Sequence, residues 1–266
     1  LFAGTALVTL IAFAYTEDLQ VRAEVVAQAR ILNLQRARAT AQLLDLYLVS
    51  VDTNVQLLAV APGTVEFLLN PLDATRREEM MTPLRVARER GGYDAALILN
   101  PSGTVLLATD ARLVGRNYTT APWFRNATAG RATFDEPRYD AVDGKVYLHV
   151  SAPVRTQRAE IAGALVVRLT LEPLDTIILA DVNYDGSGAS GVLSDENGIR
   201  LSHSIRQDLR YKPFAPLSPD LLNEMIFEAR YGPDTAAILG SPTDFGELVR
   251  RTKLLFFDRQ TDPRSA

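Results

Sequence analysis

The sequence contains no cysteine among its 266 residues and only two histidines, His149 and His203. The missing thiols exclude disulfide frameworks, zinc–thiolate centres and cysteine nucleophiles. Because the two histidines lie far apart in the chain, we expect no shared metal site and predict neither a metal nor a cofactor. The common nucleotide-binding, nucleophile-elbow and metalloprotease motifs are also absent. These absences favour a binding module without catalytic residues over an enzyme.

Charge of one sign is not in large excess. The 28 Lys and Arg residues are balanced by 32 Asp and Glu residues, which gives a net charge of −4 and a pI of about 5.3. A nucleic-acid binder would normally carry a basic face, so we predict no nucleic-acid partner. Hydrophobic residues make up 47% of the chain, which is enough to bury the core of one large domain or two ordinary ones.

Glycine and proline are both missing between Gly4 and Pro62, in a stretch dominated by Ala, Leu, Val, Gln and Arg. The stretch predicts one long helix, or two nearly collinear helices, that ends at Pro62-Gly63. Two heptad series of apolar residues form a stripe along this helix: Leu34, Ala41, Leu48, Val55 and Ala37, Leu44, Val51, Leu58. Such a stripe packs on the domain that follows, pairs with a second copy in a homodimer, or does both.

The first 15 residues carry no charge. A full membrane span needs about 20 apolar residues, so this segment is interpreted as the end of a first transmembrane helix. Glu17 and Asp18 follow at once without a basic cluster, which places this end outside the cytoplasm. A signal-peptide core and a plain buried helix are the alternative interpretations.

The rest of the chain alternates between short helices and strands, with turns rich in Gly, Pro and Asn. The pattern of a hairpin followed by a helix occurs twice, and the second copy is weaker. The predicted elements are helices at 75–89, from Trp123, at 174–180 and at 221–230, and strands at 93–100, 104–109, 145–154, 160–171, 190–194, 199–203 and 253–257.

Several of these segments together carry a family resemblance. The runs YDAALILNPSGTVLLATDARLVGRNYTTAPWFRNATAG, EPRYDAVDGKVYLHVSAPV and IAGALVVRLTLEPL resemble the membrane-distal module of double Cache sensor domains. GVLSDENGIRLSHS resembles the membrane-proximal module of such domains on bacterial histidine kinases. The resemblance implies an α+β fold, in which a long N-terminal helix precedes two PAS-like modules, each an antiparallel sheet flanked by helices.

The resemblance also implies an organisation and a role. Residues 1–15 would end the first transmembrane helix, 16–72 form a helical stalk, 73–180 the distal module and 181–266 a truncated proximal module. The chain would be the extracytoplasmic, ligand-binding sensor of a membrane protein, with a histidine kinase as the expected effector. A chemoreceptor or a nucleotide cyclase is the alternative parent. The alternatives of another class are a structural module without a small ligand and an unrecognised hydrolase.

The candidate ligand-binding residues follow from the same resemblance. In the amino-acid-binding subgroup, an arginine two residues before the tryptophan clamps the ligand carboxylate, and an aspartate late in the last long strand holds the ammonium. Here these positions are Ala121 and Arg168. The exchange predicts a small carboxylate ligand with Arg168 as its clamp, since guanidinium binds carboxylate bidentately. The predicted ligand-binding residues are Tyr118, Trp123, Phe124, Arg125, Tyr139, Tyr147, Arg168 and Thr170.

Other interpretations of these residues are structural. Trp123 would anchor its loop in the core, the tyrosines would pack, and Arg168 would pair with a carboxylate of the protein. The run Asp181-x-Asn183-x-Asp185-Gly186 resembles the start of a calcium loop. Its twelfth position is Val192 where that motif needs a bidentate glutamate, which favours an ordinary turn.

Overall fold

The structure, a computed structural model, describes residues 2–183 and 190–240, with side chains from Val21 onward except at positions 23 and 181–183. The calcium-type run at 181–186 and the predicted strand at 253–257 fall outside the described side chains or residues. The predicted membrane segment, 1–15, has a helical backbone from Phe2, and its side chains are not described.

The chain order of elements agrees with the predicted α+β class. The helices are α1 Phe2–Val60, α2 Pro62–Leu69, α3 Ala74–Gly91, α4 Pro122–Thr128, α5 Glu172–Asn183, α6 Pro219–Phe227 and α7 Thr235–Leu239. The strands are β1 Ala95–Leu99, β2 Val105–Ala108, β3 Thr133–Phe134, β4 Arg138–Asp140, β5 Lys145–Arg155, β6 Ile161–Leu169, β7 Val192–Ser194 and β8 Arg200–His203.

The predicted long helix is confirmed as α1, and it ends where proline enters the sequence. Pro62 is the first residue of α2, a position where its missing N–H has no helical partner to lose. The side chain of Asp73 caps α3 by accepting hydrogen bonds from the backbone N–H groups of Thr75 and Arg76. Gly92, at φ 65°, ends α3 in the left-handed conformation.

Six strands form one antiparallel sheet, the larger sheet, in the order β2-β1-β6-β5-β3, with β4 also paired to β5. The four longer strands were predicted from the sequence. The short strands β3 and β4 were not predicted, because two or three residues are too few to show an alternating pattern.

Helices cover one face of the larger sheet. Val51, Val55 and Ala59 of α1 are buried against this face, in one apolar cluster with sheet residues such as Leu165 and Val167. The predicted packing of the stripe in α1 is therefore confirmed for its second half. The opposite face is also buried, under α4 and the loop before it.

A second sheet, the smaller sheet, contains only β7 and β8. Its core is a cluster of four buried residues that are contributed by β8, α6, α7 and their connections: Ile199, Met225, Tyr231 and Leu239. The hydroxyl of Ser218 accepts a hydrogen bond from the N–H of Leu221 and caps α6.

One compact unit begins at Leu44, within α1, and contains both sheets. Among the described residues, one helical segment, Glu24–Val60, is long and apolar enough to cross a membrane, with a mean hydropathy of 1.4 in its most apolar window. A helix that packs in a core passes the same test, and Val51 and Val55 are core residues. The segment therefore gives only weak support for a membrane span.

Candidate functional site

The candidate site lies on the sheet face that α4 covers. Alternation along β5 places Tyr147, His149 and Ser151 on this face. His149 pairs with Arg168 of β6, and Ser151 pairs with Val166, so these residues of β6 point to the same side.

Helix α4 is fixed to this face through its tryptophan. The hydroxyl of Ser151 donates a hydrogen bond of 2.9 Å to the carbonyl oxygen of Trp123. The indole ring stacks on His149 with 5.1 Å between ring centroids and contacts Tyr118 at 5.2 Å. Because Trp123 is only 2% exposed, it anchors the loop and forms part of the site wall at the same time.

Arg168 is the central charge of the site and is 1% exposed. Its Nε donates to Asp94 at 2.8 Å, Nη1 to Asp140 at 2.7 Å and Nη2 to Asp143 at 3.3 Å. A fourth carboxylate, that of Asp110, lies 3.7 Å from Nη2. These five residues are called the Arg168 cluster below. The aspartates stabilise a buried guanidinium that would otherwise be very costly.

An aromatic ring and a second arginine complete the surroundings. The guanidinium of Arg168 lies 4.0 Å from the ring centroid of Tyr147, whose hydroxyl donates to Asp143 at 2.6 Å. Burial and this hydrogen bond raise the pKa of Tyr147. The exposed Arg112 pairs with Asp110 at 2.7 Å and lowers the pKa of that carboxyl. Even when Arg112 is counted with the Arg168 cluster, four carboxylates face two guanidinium groups, so the net charge is negative.

This geometry corrects the predicted role of Arg168 as a free carboxylate clamp. Its nitrogens already donate to three aspartates, and a fourth aspartate is close by. A ligand carboxylate would have to displace one of these aspartates and would then face the others, which is electrostatically unfavourable. The alternative of an arginine paired with carboxylates of the protein is the one that the structure contains.

His149 is buried and neutral beside the cluster. Burial, reinforced by the positive charges of Arg168 and Arg138, lowers its pKa to about 3. Its Nδ1 is buried and has no hydrogen-bond partner among the described residues. A buried polar atom without a partner destabilises the folded state.

The other predicted site residues lie in different surroundings. Phe124 is buried edge-on to Trp123, and Arg125 is exposed on α4. Thr170 is half-buried, one residue beyond the end of β6. The ring of Tyr139 packs near Gly232, outside the Arg168 cluster. The site residues that join the Arg168 cluster or the aromatic wall are therefore Tyr118, Trp123, Tyr147 and Arg168.

Sequence reasoning missed the four aspartates and His149. A usable signal was present, because an arginine near the end of an otherwise apolar strand requires carboxylates nearby if it is buried. Each aspartate stands next to a strand end or in a turn, where a side chain can reach across the sheet edge: Asp94, Asp110, Asp140 and Asp143.

Two cavities lined by described residues lie away from this site. The larger one, of about 440 Å³, lies between α1 and α3 and is lined by residues such as Leu57, Val86 and Tyr93. A smaller one, of about 150 Å³, adjoins α2 and α3. The candidate site is instead filled by its own aromatic and charged side chains.

Two solved structures with a similar fold are a sensor domain and a ligand-binding domain. The sensor domain of the V. cholerae histidine kinase DctB superposes with a TM-score of 0.59 at 18% identity, over 74% of this chain and 76% of that one. The ligand-binding domain of the Pseudomonas aeruginosa amino acid chemoreceptor PctC, in complex with GABA, gives 0.53 at 23% identity, over 71% and 81%. The chain therefore has the fold of these sensor and ligand-binding domains.

Among curated proteins, the chain is similar to the C4-dicarboxylate transport sensor protein DctB of Pseudomonas aeruginosa, at 26% identity over 196 residues. The match covers 69% of this chain, and the chain spans about 30% of the length of that relative. No family model matches the chain.

Proposed function

We propose that this chain is the extracytoplasmic, non-catalytic input domain of a membrane-bound histidine kinase and that it senses a small molecule. The observation that carries the proposal is the Arg168 cluster, a buried charged group that packs against the ring of Tyr147 on one face of the larger sheet. The similarity to DctB supports the kinase over the chemoreceptor as the parent. Residues 73–180 are proposed as the distal module, which binds the ligand, and 181–266 as the proximal module.

The charge of the site favours a ligand that carries a cationic amine. The four aspartates of the Arg168 cluster exceed the positive charges that contact them, and Arg168 occupies the place that a ligand cation would take. Such a ligand would compete with Arg168 for Asp140 and Asp143. PctC is solved with GABA, which carries an amine and a carboxylate, whereas the name of DctB specifies C4-dicarboxylates, which carry two carboxylates and no amine. The cluster favours the first of these two chemistries.

Calorimetric unfolding of the chain with added GABA or succinate tests both points. A ligand at about 100 times its dissociation constant stabilises the folded state by about 2.7 kcal/mol. We expect GABA or a related amine to raise the unfolding temperature and succinate to leave it unchanged. Asp140→Asn should abolish the increase, while the matched surface change Asp208→Asn should preserve it. Stabilisation by succinate alone would reverse the proposed ligand charge. No effect of any amine or carboxylate would favour a structural module.

We further propose that α1 joins the domain to the membrane and to a second copy. The half of the predicted stripe that packs on the sheet cannot also face a partner, so we place the dimer contact on the exposed face of α1. Leu46, Val49, Leu57 and Val60 share that face and are all more than 60% exposed. Sedimentation of Leu46→Glu/Leu57→Glu should show a monomer where the native chain sediments as a dimer. An unchanged dimer would rule out this surface.

A further inference from the structure

The hairpin formed by β4 and β5 presents different residues on its two faces. Asp140 and Arg138 of β4 pair with Lys145 and Tyr147 of β5, and the intervening Tyr139 pairs with Val146. Because successive side chains of a strand point to opposite faces, Asp140 and Tyr147 share one face and Tyr139 and Val146 share the other.

The first face belongs to the Arg168 cluster. Arg168 of β6 holds both Asp140 and Asp143, so this guanidinium ties the hairpin to the centre of the larger sheet. Asp140 also fixes the turn, because its Oδ1 accepts from the N–H of Val142 and its carbonyl oxygen accepts from that of Gly144, both at 2.9 Å.

The second face holds the part of the chain that carries the smaller sheet. The backbone N–H of Tyr139 donates to the carbonyl oxygen of Arg230 at 2.9 Å. The Tyr139 ring lies so near Gly232 that an added Cβ there would come within 2.9 Å of it. Val146 packs against the core of the smaller sheet, beside residues such as Ile199 and Met225.

Ion pairs add to the contact between this hairpin and the part of the chain that carries the smaller sheet, and Arg138 reaches them from the same face as Asp140. Arg138 donates to Glu228 at 2.9 Å and to Asp135 at 3.2 Å. Arg230 donates to Glu228 at 2.8 Å and also pairs with Glu136. Burial raises the pKa of Glu228, but hydrogen bonds from the two arginines outweigh burial and lower it below its usual range. The carboxylate is therefore stabilised in its charged, paired form.

We infer that the β4–β5 hairpin couples the Arg168 cluster to residues 190–240. In one arrangement, Arg168 holds Asp140 and Asp143, and the opposite face of the hairpin holds Arg230 and Gly232. When a cation takes Asp140 and Asp143 from Arg168, the β4 side of the hairpin and its turn lose their side-chain link to β6, while β5 stays paired with β6, and the contact of the hairpin with residues 190–240 changes. The ligand step of this inference rests on the proposed function, whereas the coupling between the two faces does not.

Hydrogen exchange on the full chain, without ligand, tests the coupling. Asp140→Asn keeps the oxygen that caps the turn and weakens the bond to Arg168. Asp94→Asn is the matched control, because Asp94 binds the same guanidinium from the start of β1, outside the hairpin. We expect Asp140→Asn to speed hydrogen exchange of amides 219–239 by about threefold to tenfold, the size expected for residues that share one network of contacts. Asp94→Asn should leave the exchange rates of these amides unchanged.

The opposite variant makes the test independent of whether Asp140→Asn folds well. Because coupling is reciprocal, Glu228→Gln should speed exchange at the amides of Val142 and Gly144. The inference would be overturned if Asp140→Asn and Asp94→Asn changed the exchange of amides 219–239 equally. It would also be overturned if neither Asp140→Asn nor Glu228→Gln changed exchange on the far side of the hairpin. If the variants show this coupling but GABA does not slow amide exchange in the native chain, the inference stands and the proposed amine ligand is rejected.

Discussion

The larger and smaller sheets are stabilised in different ways. The larger sheet is buried on both faces, so that β6 has almost no exposed residue along its length. The smaller sheet has two strands and a core of four fully buried apolar residues among the described ones. Since an isolated two-stranded sheet is at best marginally stable in water, the smaller sheet depends on the hairpin and ion pairs that join it to the larger one.

The two sheets also treat a buried arginine differently. Arg168 in the larger sheet is surrounded by carboxylates. Arg200 in the smaller sheet lies 4.1 Å above the ring centroid of Phe214 and donates to the carbonyl oxygens of Lys212 and Pro213. Burial accordingly lowers the pKa of Arg200, whereas ion pairs outweigh burial and raise that of Arg168. The first arrangement has the charge of a binding site, and the second that of a structural contact.

The largest expected effect comes from Arg168→Met. The change leaves several carboxylates close together without their buried counter-charge, which costs about 3–5 kcal/mol of unfolding free energy. Arg168→Lys should cost less, because it keeps the charge and loses only the forked geometry. Urea unfolding measures both. Equal stability of the Met variant and the native chain would mean that the cluster is not held together by this guanidinium.

Core truncations should separate the two sheets. Leu165→Ala in the larger sheet should lower the unfolding free energy of the whole unit by about 2–5 kcal/mol. Ile199→Ala should instead open the smaller sheet locally while amides of β5 and β6 keep their protection against hydrogen exchange. Loss of protection in β5 and β6 in both variants would show that the two sheets unfold as one.

A pH-dependent effect is expected at His149. Its folded pKa of about 3 lies below the ordinary 6.5, so between these values only the unfolded chain binds the proton. The stability contributed by this site is therefore present above pH 6.5 and is lost as the pH falls, by at most about 1.4 kcal/mol per pH unit. We expect urea unfolding between pH 7 and pH 4 to show that the unfolding free energy of His149→Gln rises relative to that of the native chain as the pH is lowered. A constant difference would contradict the neutral, buried state.

The smallest effect is expected on the surface of the smaller sheet's segment. Arg206 pairs with Asp208 at 2.7 Å, but both side chains are more than half exposed. Solvent screens such a pair, so Arg206→Ala should leave the urea midpoint unchanged. A clear loss of stability would mean that the smaller sheet is more sensitive to surface charge than its contacts indicate.

Sequence alone predicted most of the regular elements, but not α2, α7, β3 or β4, and it missed contacts made by short segments. Proline at position 62 and alternation in β5 are local signals, and both gave the observed structure. The role of Arg168 depends on aspartates that are distant in sequence, up to 74 residues away at Asp94, and no local pattern reports such a meeting. The prediction of a carboxylate clamp at Arg168 did not take these aspartates into account. The short strand β4 was not predicted because three residues are too few to show an alternating pattern, and its importance lies in the segments that it joins.

Trp123 has a practical consequence that follows from its being the only tryptophan in the chain. Its indole is buried and stacked on His149, with Tyr118 close by, so the ultraviolet emission of the whole protein comes mainly from the site wall. Any rearrangement of the Arg168 cluster that moves this stack changes the wavelength or the intensity of the tryptophan fluorescence. The domain thus carries its own optical reporter, and no dye has to be attached to follow occupancy of the site in real time.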